Sequence, residues 1–164
     1  RAPLSPWVGG WRASAALPAI GVRLLEARRV WFACSTGGIW FPAERGSTGA
    51  ARGEGMRADH VPPELTHDPI AQDVHCLVQA PSDPSRMWVQ HHNGIFVSSD
   101  EGRTFSELTD VQPSAFGFPV VVHPRQPDTA WVVPGPEAEK RLQGGGRLGG
   151  NRGGLVARGR RRSR

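Results

Sequence analysis

The chain has 164 residues, enough for one ordinary domain with a sizeable core. Its 21 glycines and 15 prolines argue against a helical bundle and for a turn-rich all-β protein. The formal charge of +5 is unevenly spread: residues 140–164 carry eight Arg, one Lys and no acid, whereas residues 1–139 are net acidic, so the body is excluded as a basic nucleic-acid surface.

The first 29 residues show no strong pattern. They read as irregular or weakly helical, with a short helix expected after Pro18 in "RASAALPAIGVRLLEARR". The chain begins on Arg1 rather than Met, which fits a start inside a longer reading frame. Strands are expected at 30–34 and 39–41. A long polar, proline-rich loop follows over residues 50–73, which contains "VPPELTHDP".

Residues 74–108 read as one four-stranded unit. Its strands are expected at 74–79, 87–91, 95–98 and 104–108, and His92-Asn93-Gly94 forms the tight turn in its middle. Two further strands are expected at 118–123 and 130–133. The segment "VQAPSDPSRMWV" (78–89) repeats as "VVHPRQPDTAWV" (121–132) at an offset of 43. Pro81, Pro84 and Trp88 then meet Pro124, Pro127 and Trp131. The prolines are placed in the connections, because proline cannot donate to a central ladder. A second match, "GIWFPAERGST" (38–48) with "GIFVSSDEGRT" (94–104), has an offset of 56, which implies an insertion in the long loop. A period near 43 fits a four-stranded propeller blade. Residues 135–164 lack apolar alternation and are expected to be a disordered Arg/Gly-rich tail.

The run "SSDEGRTF" supplies Ser98, Asp100, Gly102, Thr104 and Phe105 in the order Ser-x-Asp-x-Gly-x-Thr-Phe. This pattern resembles the Asp-box of the BNR-repeat β-propellers, the sialidase-like and sortilin-like group that includes bacterial glycosyl-hydrolase-like proteins. The resemblance covers residues 30–134 and implies an incomplete propeller of about two to three four-stranded blades. In that family the box lies on the outer rim, away from the central ligand face. Physics gives the same role: an Asp side chain can accept from the unpaired N–H groups of a tight turn, and glycine adopts the conformation that closes it. Phe105 anchors the next strand. In the earlier copy Glu44 replaces the Asp and Gly49 the aromatic, as expected of an eroded repeat.

Propeller sialidases use a tyrosine nucleophile. This chain has no tyrosine, so it is not a complete sialidase of that mechanism. The expected role is non-catalytic, binding or scaffolding with an unassigned ligand or protein partner. A fragment of a sialidase-like glycoside hydrolase is the alternative, and no cofactor is expected. His67, Asp68, Asp73, His75, Cys76, His91 and His92 form the other chemical cluster. Within it His75, His91 and His92 are weak metal candidates, since no spacing matches a structural zinc site. Adjacent strand residues point to opposite faces, so only one of His91 and His92 can join His75. The tail would bind nucleic acid nonspecifically, although a frameshifted GC-rich gene gives the same composition. Cys34 and Cys76 read as free thiols, which favours a reducing, cytoplasmic setting. No run approaches the ~18 apolar residues of a membrane span.

Overall fold

Short runs of β-branched and aromatic residues suit a pleated, half-buried surface, and these runs form the strands. The computed structural model describes residues 19–22, 30–42, 49–112, 114–135 and 155–158. Among the described residues there is no α-helix, and the strands form three antiparallel sheets. The first sheet runs in chain order through β1 (Ala19–Val22), β2 (Val30–Cys34), β3 (Gly38–Pro42) and β4 (Gly49–Arg52). In the second, β5 (Val74–Ala80), β6 (Asp83–His91), β7 (Gly94–Ser98) and β8 (Ser106–Glu107) do the same. A third sheet holds β9 (Gly117–Val122) and β10 (Thr129–Pro134), with β11 (Leu155–Arg158) on the far side of β10.

The sheets stack face against face. Trp31, Ala33 and Ile39 of the first sheet pack on Val74, Leu77, Met87, Val89 and Phe96 of the second. Trp88, Ile95 and Val97 leave the opposite face of the second sheet to meet Val120, Val122, Ala130 and Val132 of the third. Strand alternation explains the division, because successive residues of β6 and β7 supply the two cores in turn. On the third sheet the same alternation leaves Val121, Trp131 and Val133 exposed on its outer face.

The register repeats from sheet to sheet. Gly21 pairs with Trp31, Val78 with Trp88 and Val121 with Trp131. The latter two pairs keep the offset of 43 on both strands. Three tryptophans therefore occupy equivalent second-strand positions.

Several elements differ from expectation. β1 is a strand inside the segment read as irregular or helical, where it pairs along β2. β4 occupies the start of the expected long loop, and β11 lies within the tail read as disordered. β8 is only two residues long. Pro84 lies inside β6 rather than in the connection, next to a register shift that absorbs its missing N–H. The rest of the tail and the eroded copy around Glu44 lie outside the described residues.

The connection from β4 to β5 folds back on the first sheet. Short 3-10 turns form at Pro63–Leu65 and Pro69–Ala71, the second capped by Asp68, whose side chain accepts from the Ile70 N–H at 3.0 Å. Buried Gln72 donates from Nε2 to the Thr66 and Asp68 carbonyls and stiffens the segment from within.

Candidate functional site

The second sheet presents polar side chains at both ends. Val74, His91 and Gly94 are aligned across β5, β6 and β7 at one end. Gln79, Met87 and Ser98 are aligned at the other, where β7 turns into β8.

The β7–β8 turn is built on Asp100. Its Oδ1 accepts from Ser98 Oγ at 2.8 Å, the Arg103 N–H at 3.0 Å and the Thr104 N–H at 2.9 Å. Its Oδ2 accepts from Thr104 Oγ1 at 2.7 Å. Ser98 Oγ in turn accepts from the Asp100 and Gly102 N–H groups. The chain enters the left-handed region at Glu101 (φ 62°) and Gly102 (φ 74°). Gly102 also packs so closely on the first sheet that a Cβ there would lie 2.8 Å from Phe41 Cζ. The turn is fixed to that sheet by further bonds, with the Phe105 N–H donating to Glu54 O at 2.8 Å and Phe105 buried beneath. It thus joins two sheets as well as two strands, which the motif alone did not reveal.

Burial by itself would raise the Asp100 pKa, but the hydrogen bonds from Thr104, Ser98 and Arg103 outweigh it and hold the group below its ordinary 3.8. A depressed carboxylate stabilises the fold above the unfolded pKa, and that contribution is lost as pH falls through the lower folded value. Asp100→Ala is expected to lower the unfolding free energy at pH 7 by about 1–3 kcal/mol, as for lost hydrogen bonds to a charged group. The deficit should shrink as pH falls below about 4, where the unfolded wild-type chain takes up a proton at this carboxylate before the folded protein does. Urea titrations of both proteins at pH 7 and pH 3 measure the difference.

The opposite end gathers Asp73, His75 and His92. Residues 73 and 75 share one side of the chain entering β5, and the His92 N–H donates to Asp73 O at 2.9 Å, which places His92 beside them. Asp73 Oδ2 lies 3.9 Å from His75 Nε2 and 3.6 Å from His92 Nδ1. Ligand atoms of the three residues all fall within 4.8 Å of one another.

His91 does not join them. It is fully buried, and its two ring nitrogens face the N–H groups of Asp73 (3.0 Å) and Asn93 (3.1 Å). Desolvation, with a smaller push from His60, His75 and His92 against the pull of Asp73, lowers its pKa to about 3. Of the two adjacent histidines, only one of which could join His75, it is His92 that lies beside it. His67 is elsewhere, bonded through Nδ1 to Met56 O, while Cys76 lies 4.0 Å from Val120 O. Asp73 carries the signal that sequence reading underweighted: it stands two residues before His75 and opposite the Asn-Gly turn. Both cysteines are free, and burial raises the Cys34 thiol.

No family model and no curated protein matches the chain. Solved structures do match. An ancestral GH74 enzyme is similar with a TM-score of 0.56 at 14% identity, over 81% of this chain. The fold is that of a β-propeller. A second structure, of YCF48 bound to a D1 peptide, aligns with a TM-score of 0.46 at 17% identity over 71% of the chain. This chain spans 14% of the length of the GH74 enzyme and 33% of that of YCF48. The three sheets, stacked in chain order, are consecutive blades of this fold. No helix among the described residues is long and apolar enough to cross a membrane.

Proposed function

We propose that the chain is a stretch of a BNR/Asp-box β-propeller with a non-catalytic, binding or scaffolding role. The observation that carries this reading is the Asp100 turn. Both carboxylate oxygens are occupied by donors from Ser98, Arg103 and Thr104, and the turn is locked onto the preceding blade. A carboxylate used in this way, with a depressed pKa, holds no proton to deliver at neutral pH and is poorly placed to activate water. Ser98, Asp100, Gly102, Thr104 and Phe105 are on this reading structural residues, each acting on the turn or on the core beneath it.

Fluorogenic glycosides, sialosides included, provide the test. The purified chain is expected to leave them intact, and Asp100→Asn is expected to change stability alone. Sugar release that Asp100→Asn abolishes, with the variant still folded, would overturn the reading in favour of a glycoside hydrolase segment.

A further inference from the structure

We propose that Asp73, His75 and His92 form a binding site for a divalent transition metal of the zinc class. The three ligand atoms already converge, and the separations of the two imidazoles from Asp73 Oδ2, 3.6 and 3.9 Å, are close to what coordination needs. Ligands bound at about 2.0–2.1 Å around a tetrahedral ion lie about 3.3 Å apart, so Asp73 Oδ2 is within about 0.6 Å of that spacing from each ring, and no pair in the group, all within 4.8 Å, has to close by more than about 1.5 Å. Two imidazoles and one carboxylate suit zinc, cobalt or nickel better than calcium or magnesium, which favour all-oxygen sites.

The surrounding contacts are those a metal site requires. His75 Nδ1 lies 2.7 Å from Gly117 O. A carbonyl can only accept, so Nδ1 carries the ring proton of the neutral form and Nε2 turns its lone pair toward Asp73. Asp73 Oδ1 accepts from Ser35 Oγ at 2.9 Å, which leaves Oδ2 as the coordinating oxygen. Phe118 stacks on His75 with ring centroids 4.7 Å apart, and Phe116 makes edge-to-face contacts with both imidazoles, with centroids 5.6 Å apart in each. These rings fix the histidines and exclude part of the water from one side. The side chains of Asp73 and His75 are only 14% and 8% exposed, and that of His92 29%, so one side of the cluster stays open for a water or an external ligand.

The supporting residues come from different blades: Ser35 from the first, the three ligands from the entry and central turn of the second, and Gly117 from the start of the third. A bound ion would therefore brace the three blades at one end, opposite the Asp100 turn.

Equilibrium dialysis of the chelator-stripped full chain against zinc chloride tests the site, and cobalt substitution supplies visible d–d bands that report coordination geometry. One zinc per chain at micromolar or tighter affinity is expected, with a higher melting temperature in its presence. His92→Asn and His75→Phe should each weaken binding about tenfold or more, whereas His67→Ala and His123→Ala should retain it. His92 is the more exposed ligand, and far-UV circular dichroism confirms that its variant is folded. Absence of stoichiometric binding to the folded chain would overturn the proposal. Unchanged affinity in folded His92→Asn, or equal loss in His123→Ala, would overturn it as well.

Discussion

Trp88→Ala is expected to remove a large part of the stability of the chain, whereas Trp131→Ala, at the equivalent position one blade later, should cost little. Trp88 is fully buried between the second and third blades, and its Nε1 donates to Pro127 O at 2.8 Å across that interface. Truncating a buried tryptophan typically costs about 3–5 kcal/mol through lost transfer energy and the cavity left behind. Domains of this size have only ~5–15 kcal/mol to lose. Trp131 pairs with Val121 as Trp88 pairs with Val78, yet it remains 38% exposed on the outer face of the third blade. It stacks on His123 with ring centroids 5.7 Å apart, so its replacement should cost about 1 kcal/mol or less. Denaturant melts of the two variants decide the matter. Equal costs would mean that the outer face of the third blade is as well covered in solution as the Trp88 interface, by a further blade or by a second molecule.

That contrast also bears on how much of the structure could be read from the residues. The offset of 43 placed Trp88 and Trp131 in equivalent registers, because alternation and turn residues recur whatever lies on either side. β2 begins and ends where the apolar run "VWFAC" does, and Asn93-Gly94 fixes the β6–β7 turn. What could not be read were strands with no hydrophobic pattern of their own. β4, "GAAR", is extended because its backbone pairs along β3 from Ile39 to Pro42, and β1 and β11 are likewise four-residue strands that depend on a neighbour. The Asp100 turn was legible as a local device, since Ser98, Asp100, Gly102 and Thr104 are close in sequence. Its attachment to Phe41 and Glu54 was not, because those contacts span about fifty residues or more and depend on how two blades stack. The cluster at the other end was half legible: alternation limited the choice to one of His91 and His92, but only the register, with Val74 opposite His91, sets His92 beside Asp73.

His91 carries the second large effect, a loss of stability in mild acid. In the unfolded chain its imidazole takes up a proton as pH falls through about 6.5, whereas the folded protein resists until about pH 3. Between those values the unfolded state holds one more proton, so stability rises with pH and each unit of acidification costs about 1.4 kcal/mol. Over the whole window the loss reaches ~4–5 kcal/mol, comparable with the total stability of many domains. The cause is first the burial of the ring. Hydrogen bonding adds to it, because the Asp73 and Asn93 N–H groups point at the two ring nitrogens. A neutral ring can accept one of them, and a doubly protonated ring can accept neither. Unfolding free energies measured from pH 7 to pH 4 in the presence of EDTA should therefore decline with about one proton's slope. His91→Gln, which keeps one acceptor and cannot titrate, should lose that slope even if its stability at pH 7 is lower. The slope belongs to His91 rather than to Asp100, whose protonation adds its own loss only below about pH 4. A flat wild-type profile down to pH 4 would mean that the ring protonates freely in the folded state, and that the end of the second blade opens to water around it.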